Sequence, residues 1–279
     1  MRIAVVQLAY GDEEPSAARV ERVAGLVAEQ SGHDLVVLPE LWGATGFGYT
    51  RWEDEAQGLD GPWVAAMADA ARTASVTLHA GSFVERLPGP GADGHDLANT
   101  SVVLGADGSV LATYRKVHRF GFGAGEPRLM EAGEDVVVVD LPDGGGSRVR
   151  TGLSTCYDLR FPEIYRRQVD AGAELFVVPA AWPAARVGHW SLLGRARAIE
   201  NQAVVVQCNT AGTHAGHAMG GRSQVVSATG EVLAEAPEGA ARGAVDRGRA
   251  GECVLSVDVD LAATRVYRQD FPVLADRRL

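Results

Sequence analysis

Lysine is almost missing from this 279-residue chain: of 26 lysine and arginine side chains, 25 are arginine and one, Lys116, is lysine. Cysteine is scarce and odd in number (Cys156, Cys208, Cys253), which argues against a disulfide framework and for a reducing, cytoplasmic setting. No apolar run approaches the roughly 18 residues of a membrane-spanning helix. The opening "MRIAVVQLAY" has a short apolar run and no cleavage site, so it reads as a strand, not a signal peptide. A basic patch is also absent, and the net charge of −10 disfavours nucleic acid or an anionic membrane as a partner. What remains, 46% hydrophobic and 22% charged, is ordinary globular composition with ample material for a core.

Short β-branched runs alternate with amphipathic stretches. Strands are expected at "RIAVVQLA", "DLVVLPE" and "VTLHAGSFVE", with helices over 15–30 and near 60–74. A hairpin follows, "TSVVLGADGSVLATYRK", turning at "ADGS". The second half resembles the first. It has strands at "VVVVDLP", "VRTGLSTC", "ELFVVPAAW" and "AVVVQCN", helices from Phe161 and over 188–201, and a hairpin turning at "ATGE". A last strand, "CVLSVDVD", closes the pattern. Continuous apolar runs imply strands covered on both faces, hence two sheets face to face with helices outside. Residues 236–251 are expected to form a mobile loop.

Three polar residues stand just beyond apolar strands: Glu40, Lys116 and Cys156. Ligands gather at the carboxyl ends of strands in α/β sheets, so the three are placed to converge. Taken singly, each has an ordinary structural explanation. Together they form a chemical set: a thiol nucleophile, a carboxylate base, and a compact ammonium that can hold an oxyanion. Arginine, a broad planar fork, is a poor substitute for that ammonium.

The blocks "VVLPELW", "TYRKVHRFGFG", "TCYDLRFPEIYR" and "RARAIENQAVVVQCNTAG" resemble, in order and spacing, the signature of the nitrilase, or carbon–nitrogen hydrolase, superfamily. The resemblance runs from about residue 2 to 260, leaving 261–279 as an extension of a single domain. It implies an α-β-β-α four-layer sandwich, a Glu-Lys-Cys triad at Glu40, Lys116 and Cys156, and an oxyanion contact from the Tyr157 backbone N–H. It also implies a second glutamate after the lysine. Glu126, Glu131 and Glu134 are candidates, and spacing favours Glu131. No cofactor is implied; a homodimer or higher homo-oligomer is, with the helices at 161–171 and 188–201 as its interface.

Cys156 is followed by Tyr157 and Asp158, where nitrilases proper tend to have Trp or Gly and then Glu. "CYDLRFPE" is most similar to the branch of omega-amidases and deaminated-glutathione amidases. The implied reaction is therefore hydrolysis of a small carboxylated amide, releasing ammonia. Rival expectations are nitrile or N-carbamoyl hydrolysis, acyl transfer to an amine, and a noncatalytic binding protein or thiol sensor. Phe47, Tyr49, Trp52 and Trp182 are candidates for a pocket rim or for packing. Arg160 is expected to brace its loop by pairing with an acid, with a carboxylate-binding role kept open. His214 and His217 are spaced three apart in a loop-like stretch without acidic neighbours, so no metal site is expected. Cys208 and Cys253 are expected to be buried and inert.

Overall fold

The computed structural model describes residues 1–238 and 249–278, so most of the expected mobile loop at 236–251 lies outside the described residues. The strands are β1 (Arg2–Gln7), β2 (Ala9–Gly11), β3 (Leu35–Val37), β4 (Thr77–Arg86), β5 (Leu97–Leu104), β6 (Val110–Arg115), β7 (Val138–Pro142) and β8 (Arg148–Leu153). They continue with β9 (Leu175–Pro179), β10 (Val204–Cys208), β11 (Ala211–His214), β12 (His217–Ala218), β13 (Gln224–Val226), β14 (Val232–Glu235) and β15 (Cys253–Asp258). The helices are α1 (Ser16–Ala28), α2 (Trp52–Glu55), α3 (Pro62–Ala74), α4 (Glu126–Leu129), α5 (Pro162–Asp170), α6 (Val187–Asn201) and α7 (Leu261–Asp270). No helix among the described residues is long and apolar enough to cross a membrane.

One six-stranded sheet runs β15-β1-β3-β4-β5-β6 and the other β14-β13-β10-β9-β8-β7. Each has three parallel strands, β1-β3-β4 or β8-β9-β10, with one antiparallel strand on one flank and an antiparallel pair on the other. The similarity of the two halves is thus topological. Both expected hairpins are present, β5-β6 and β13-β14. A small third sheet, β12-β11-β2, links the two halves.

Side-chain alternation assigns the layers. Ile3, Val5, Leu35 and Val37 join the core shared with the second sheet, while Ala4, Val6, Val36 and Leu38 meet α1 and α3. On the second sheet Cys208 points inward, its thiol donating to the Val6 and Val37 carbonyls, and Gln207 points outward to the Trp190 carbonyl of α6. Gly194 lets α6 come that close, since a Cβ there would lie 1.5 Å from Gln207 Oε1. The expected four layers are therefore in place. Cys253, expected to be buried, is half-exposed on strand β15. Beyond residue 260, α7 is tied back by Arg268, which donates to the carbonyls of Gln202, Ala173 and Asn201.

Two buried histidines make stability sensitive to acid. His79 Nδ1 accepts the Gly81 N–H, which requires that nitrogen to be unprotonated, and burial lowers its pKa from 6.5 to about 4. His214 stacks on Tyr10, and burial, helped by the Arg19 charge, lowers it to about 3. Below pH 6.5 the unfolded chain takes up protons that the folded chain refuses. Each histidine therefore removes about 1.4 kcal/mol of stability per pH unit as pH falls from 6.5 toward its folded value. Thermal unfolding temperature should drop through that window. His79→Asn, whose side-chain oxygen can accept the same N–H, should flatten the curve; a profile superimposable on wild type would contradict this account.

Candidate active site

The base of the site is built where the carboxyl ends of both sheets meet. Strand β3 ends at Val37, and Leu38-Pro39-Glu40 turn over a bulge in β4 between His79 and Ser82. Gly81, at φ 73°, makes the bulge possible: a Cβ there would come within 1.9 Å of the Pro39 carbonyl oxygen. The turn is fastened by Leu38 N–H to the His79 carbonyl and by Leu41 N–H to Ser82 Oγ. Just beyond, the buried Arg19 guanidinium of α1 donates to the carbonyls of Trp42 and Gly43. Glu40 is thereby held 3% exposed. Its Oε2 accepts the Ala181 N–H from the end of β9 at 2.8 Å, and its Oε1 accepts from Lys116 Nζ at 2.7 Å and Asn99 Nδ2 at 2.9 Å.

Lys116 lies one residue past β6, its N–H donating to the Asn99 carbonyl. Its ammonium, 2% exposed, also donates to Glu126 at 2.8 and 3.0 Å. Burial opposes the charge, but Glu126 and Glu40 outweigh it and hold the ammonium well above the ordinary lysine range. Burial pushes the Glu126 carboxyl up; Lys116 pulls against that and Glu40 adds to it.

The second glutamate beside the lysine is Glu126, not Glu131 as spacing suggested. The loop "FGFGAG" folds tightly, with left-handed backbone at Phe122, Gly123 and Gly125, so Glu126 returns to Lys116 and accepts the Phe120 N–H. Glu131 faces another way: its backbone pairs with β5 at Leu97, and its carboxylate accepts the N–H groups of Asp93 and His95. Glu134 does not line the pocket either.

Cys156 begins the short turn Cys156–Arg160 after β8 and has φ 48°, an unfavourable conformation for a non-glycine residue. Asp158, fully buried, enforces it. Its carboxylate accepts from Thr155 N–H at 2.8 Å, closing a capping box, and from Tyr114 Oη, His118 N–H and His118 Nδ1 at 2.7–2.9 Å. One carboxylate thus ties the cysteine turn to both sides of Lys116. Burial first, and then the Glu40 charge, push the Cys156 thiol well above the ordinary cysteine range, against the pull of the Lys116 ammonium.

Glu40, Lys116, Glu126 and Cys156 form the floor of a narrow cleft. Phe47, Tyr49, Trp52, Tyr157, Arg160 and Trp182 all line it, as do Phe120 and Arg186. Among the described residues Arg160 has no acidic partner, where pairing with an acid was expected. Its guanidinium lies 4.6 Å from the Trp182 ring centre and 3.4 Å from His189 Nδ1. Asn99 was not anticipated. It touches both glutamates, donating to Glu126 Oε1 at 2.6 Å. Its only trace in the sequence is the polar "NTS" inside a strand buried along its whole length. Among the described residues no cluster of three or more metal-ligating side chains exists.

A thiol, a carboxylate and a charged ammonium on one cleft floor are the set of groups that a thiol-dependent hydrolase requires. The carbon–nitrogen hydrolase family model matches residues 2–269. A 2-oxoglutaramate amidase of Paenarthrobacter nicotinovorans is 42% identical over 276 residues, covering 99% of this chain and 89% of that protein. Mouse omega-amidase NIT2 is 30% identical over 99% of this chain and 95% of its own length. Among solved structures, the CN-hydrolase superfamily protein XC1258 of Xanthomonas campestris, with an arsenic adduct in its active site, has a TM-score of 0.83. It is 28% identical, with 100% of this chain and 97% of that one covered. The chain belongs to the carbon–nitrogen hydrolase family, and it is an enzyme that hydrolyses carbon–nitrogen bonds.

Proposed function

We propose that the protein hydrolyses the terminal amide of a small 2-oxo acid through a Cys156 thioester. The observation that carries this reading is Lys116 Nζ held between Glu40 and Glu126 on the same cleft floor as Cys156. The relatives named 2-oxoglutaramate amidase and omega-amidase support the substrate class.

The thiol rests protonated, so attack and proton transfer go together. Cys156 Sγ bonds to the amide carbon while Glu40 takes the S–H proton. Lys116 donates to Glu40 Oε1 and to both Glu126 oxygens in the resting site, and the N–H of the longest of these contacts, to Glu126 Oε1 at 3.0 Å, turns to the oxyanion as it forms. The Tyr157 N–H, at the start of its turn and without a carbonyl partner within it, is the second donor. The tetrahedral intermediate then expels nitrogen, which leaves as ammonia with the proton from Glu40. Water attacks the thioester, Glu40 takes its proton, and the thiol is restored as the carboxylic acid leaves.

The proposal extends to a cytoplasmic homodimer. All three cysteines are free thiols, and α6 exposes Leu192 and Ile199. Ammonia release from 2-oxoglutaramate, from a simple nitrile and from an N-carbamoyl amino acid tests the reaction, with mass spectrometry for an acyl group on Cys156. Release from the oxo-acid amide with acylated Cys156 is expected. Turnover of the nitrile alone would overturn the amidase reading.

A further inference from the structure

The cleft is polarised. Its floor holds two carboxyl groups, Glu40 and Glu126, against one ammonium, Lys116, so an anionic group is not welcome there. Arg160 and Arg186, by contrast, line the same cleft without an acidic partner among the described residues. Elsewhere arginines near this site are neutralised, Arg115 by Glu85 and Arg119 by Asp93. Aromatic faces hold the two free ones instead: Arg160 over Trp182, and Arg186 5.7 Å from the centre of the Phe120 ring. Stacking on a ring leaves the edge of a guanidinium, with its forked N–H donors, open for a planar anion.

We propose that Arg160 and Arg186 together form the carboxylate subsite of this cleft, with Arg186 the residue that no sequence pattern announced. One guanidinium takes the carboxylate in a bidentate pair, and the other bridges a carboxylate oxygen and the adjacent oxo group. The substrate then lies with its neutral amide on the floor and its anion at the arginines. The same pair disfavours a 2-amino acid amide, whose ammonium would sit beside two cations. This inference rests on the amidase reading for turnover, but not for binding.

The test has two arms. In the first, kcat/KM for 2-oxoglutaramate is divided by kcat/KM for pentanamide, an amide of equal length without the carboxylate. Arg186→Gln and Arg160→Gln should each lower that ratio about 10- to 100-fold, the loss of a charge-assisted pair, chiefly through KM. Arg186→Lys, which keeps charge without the fork, should recover part of it. In the second arm, 2-oxoglutaramate binding to the Cys156→Ala protein is measured by calorimetry, with and without each arginine substitution. Binding weakened by both substitutions supports the subsite even if turnover of the amide fails. A ratio unchanged because both substrates fall together, or binding that neither substitution alters, would overturn it. A wild-type preference for pentanamide would do the same while leaving the amidase reading intact.

Discussion

Lys116→Ala should lower kcat for amide hydrolysis about 10²- to 10³-fold, the usual cost of one oxyanion donor, and Lys116→Arg should fall nearly as far. The reason for the second expectation is geometric. The ammonium lies among Glu40, Glu126 and Cys156, and it meets both carboxylates at 2.7–3.0 Å, with its longest contact, to Glu126 Oε1, the one that yields to the substrate oxygen. A guanidinium carries its donors in one plane about a larger centre. It would pair bidentately with one glutamate and push its remaining nitrogens into the space of the substrate carbonyl. Lys116→Ala also strands two buried carboxyl groups beside each other, a change that typically costs about 3–5 kcal/mol. Circular dichroism must therefore show that each variant is folded at the assay temperature. Lys116→Arg within about fivefold of wild-type kcat would show that charge alone suffices. The single lysine in a chain that otherwise uses arginine would then need another explanation.

Glu40, Lys116 and Cys156 were legible because each follows an apolar run, and strand ends in layered α/β folds converge. The layers were legible for a related reason: "IAVV" and "LVV" are apolar at every position, which only a strand covered on both faces requires. Helix limits agree to within about two residues, since Pro62 and Pro162 mark starts and left-handed Ser75 and Gln202 mark ends. Legibility failed where function depends on backbone conformation or on isolated polar residues. Nothing local says that Asn99 will face two glutamates from a buried strand. Arg186, in "PAARVGHW", has no pattern at all; its importance arises only because the turn before α6 brings it to the cleft. In the sequence Asp158 marks the amidase branch; in the structure its carboxylate joins the cysteine turn to the lysine segment, a role that no local pattern shows.

The Glu126 assignment carries the other large effect, and it separates geometry from spacing. Glu126→Gln keeps the side chain's shape but removes a negative charge beside Lys116. The kcat should fall about 10²-fold, because the ammonium loses one of the two carboxylates that fix it and the oxyanion donor is no longer held in place. The pH profile provides a second, independent readout. Burial lowers the Lys116 pKa, and the two carboxylates more than restore it. Removing one of them leaves burial less opposed, so the ammonium deprotonates at lower pH than in wild type. The alkaline limb of kcat should move toward neutrality, a shift that a merely structural role for Glu126 would not produce. Glu131→Gln should leave kcat within about threefold of wild type and leave that limb in place. It should instead lower the unfolding temperature, because the Asp93 and His95 N–H groups lose a charged acceptor. If Glu131→Gln abolished turnover while Glu126→Gln kept it, the tight fold of "FGFGAG" would have been misread, and the glutamate favoured by spacing would hold the lysine.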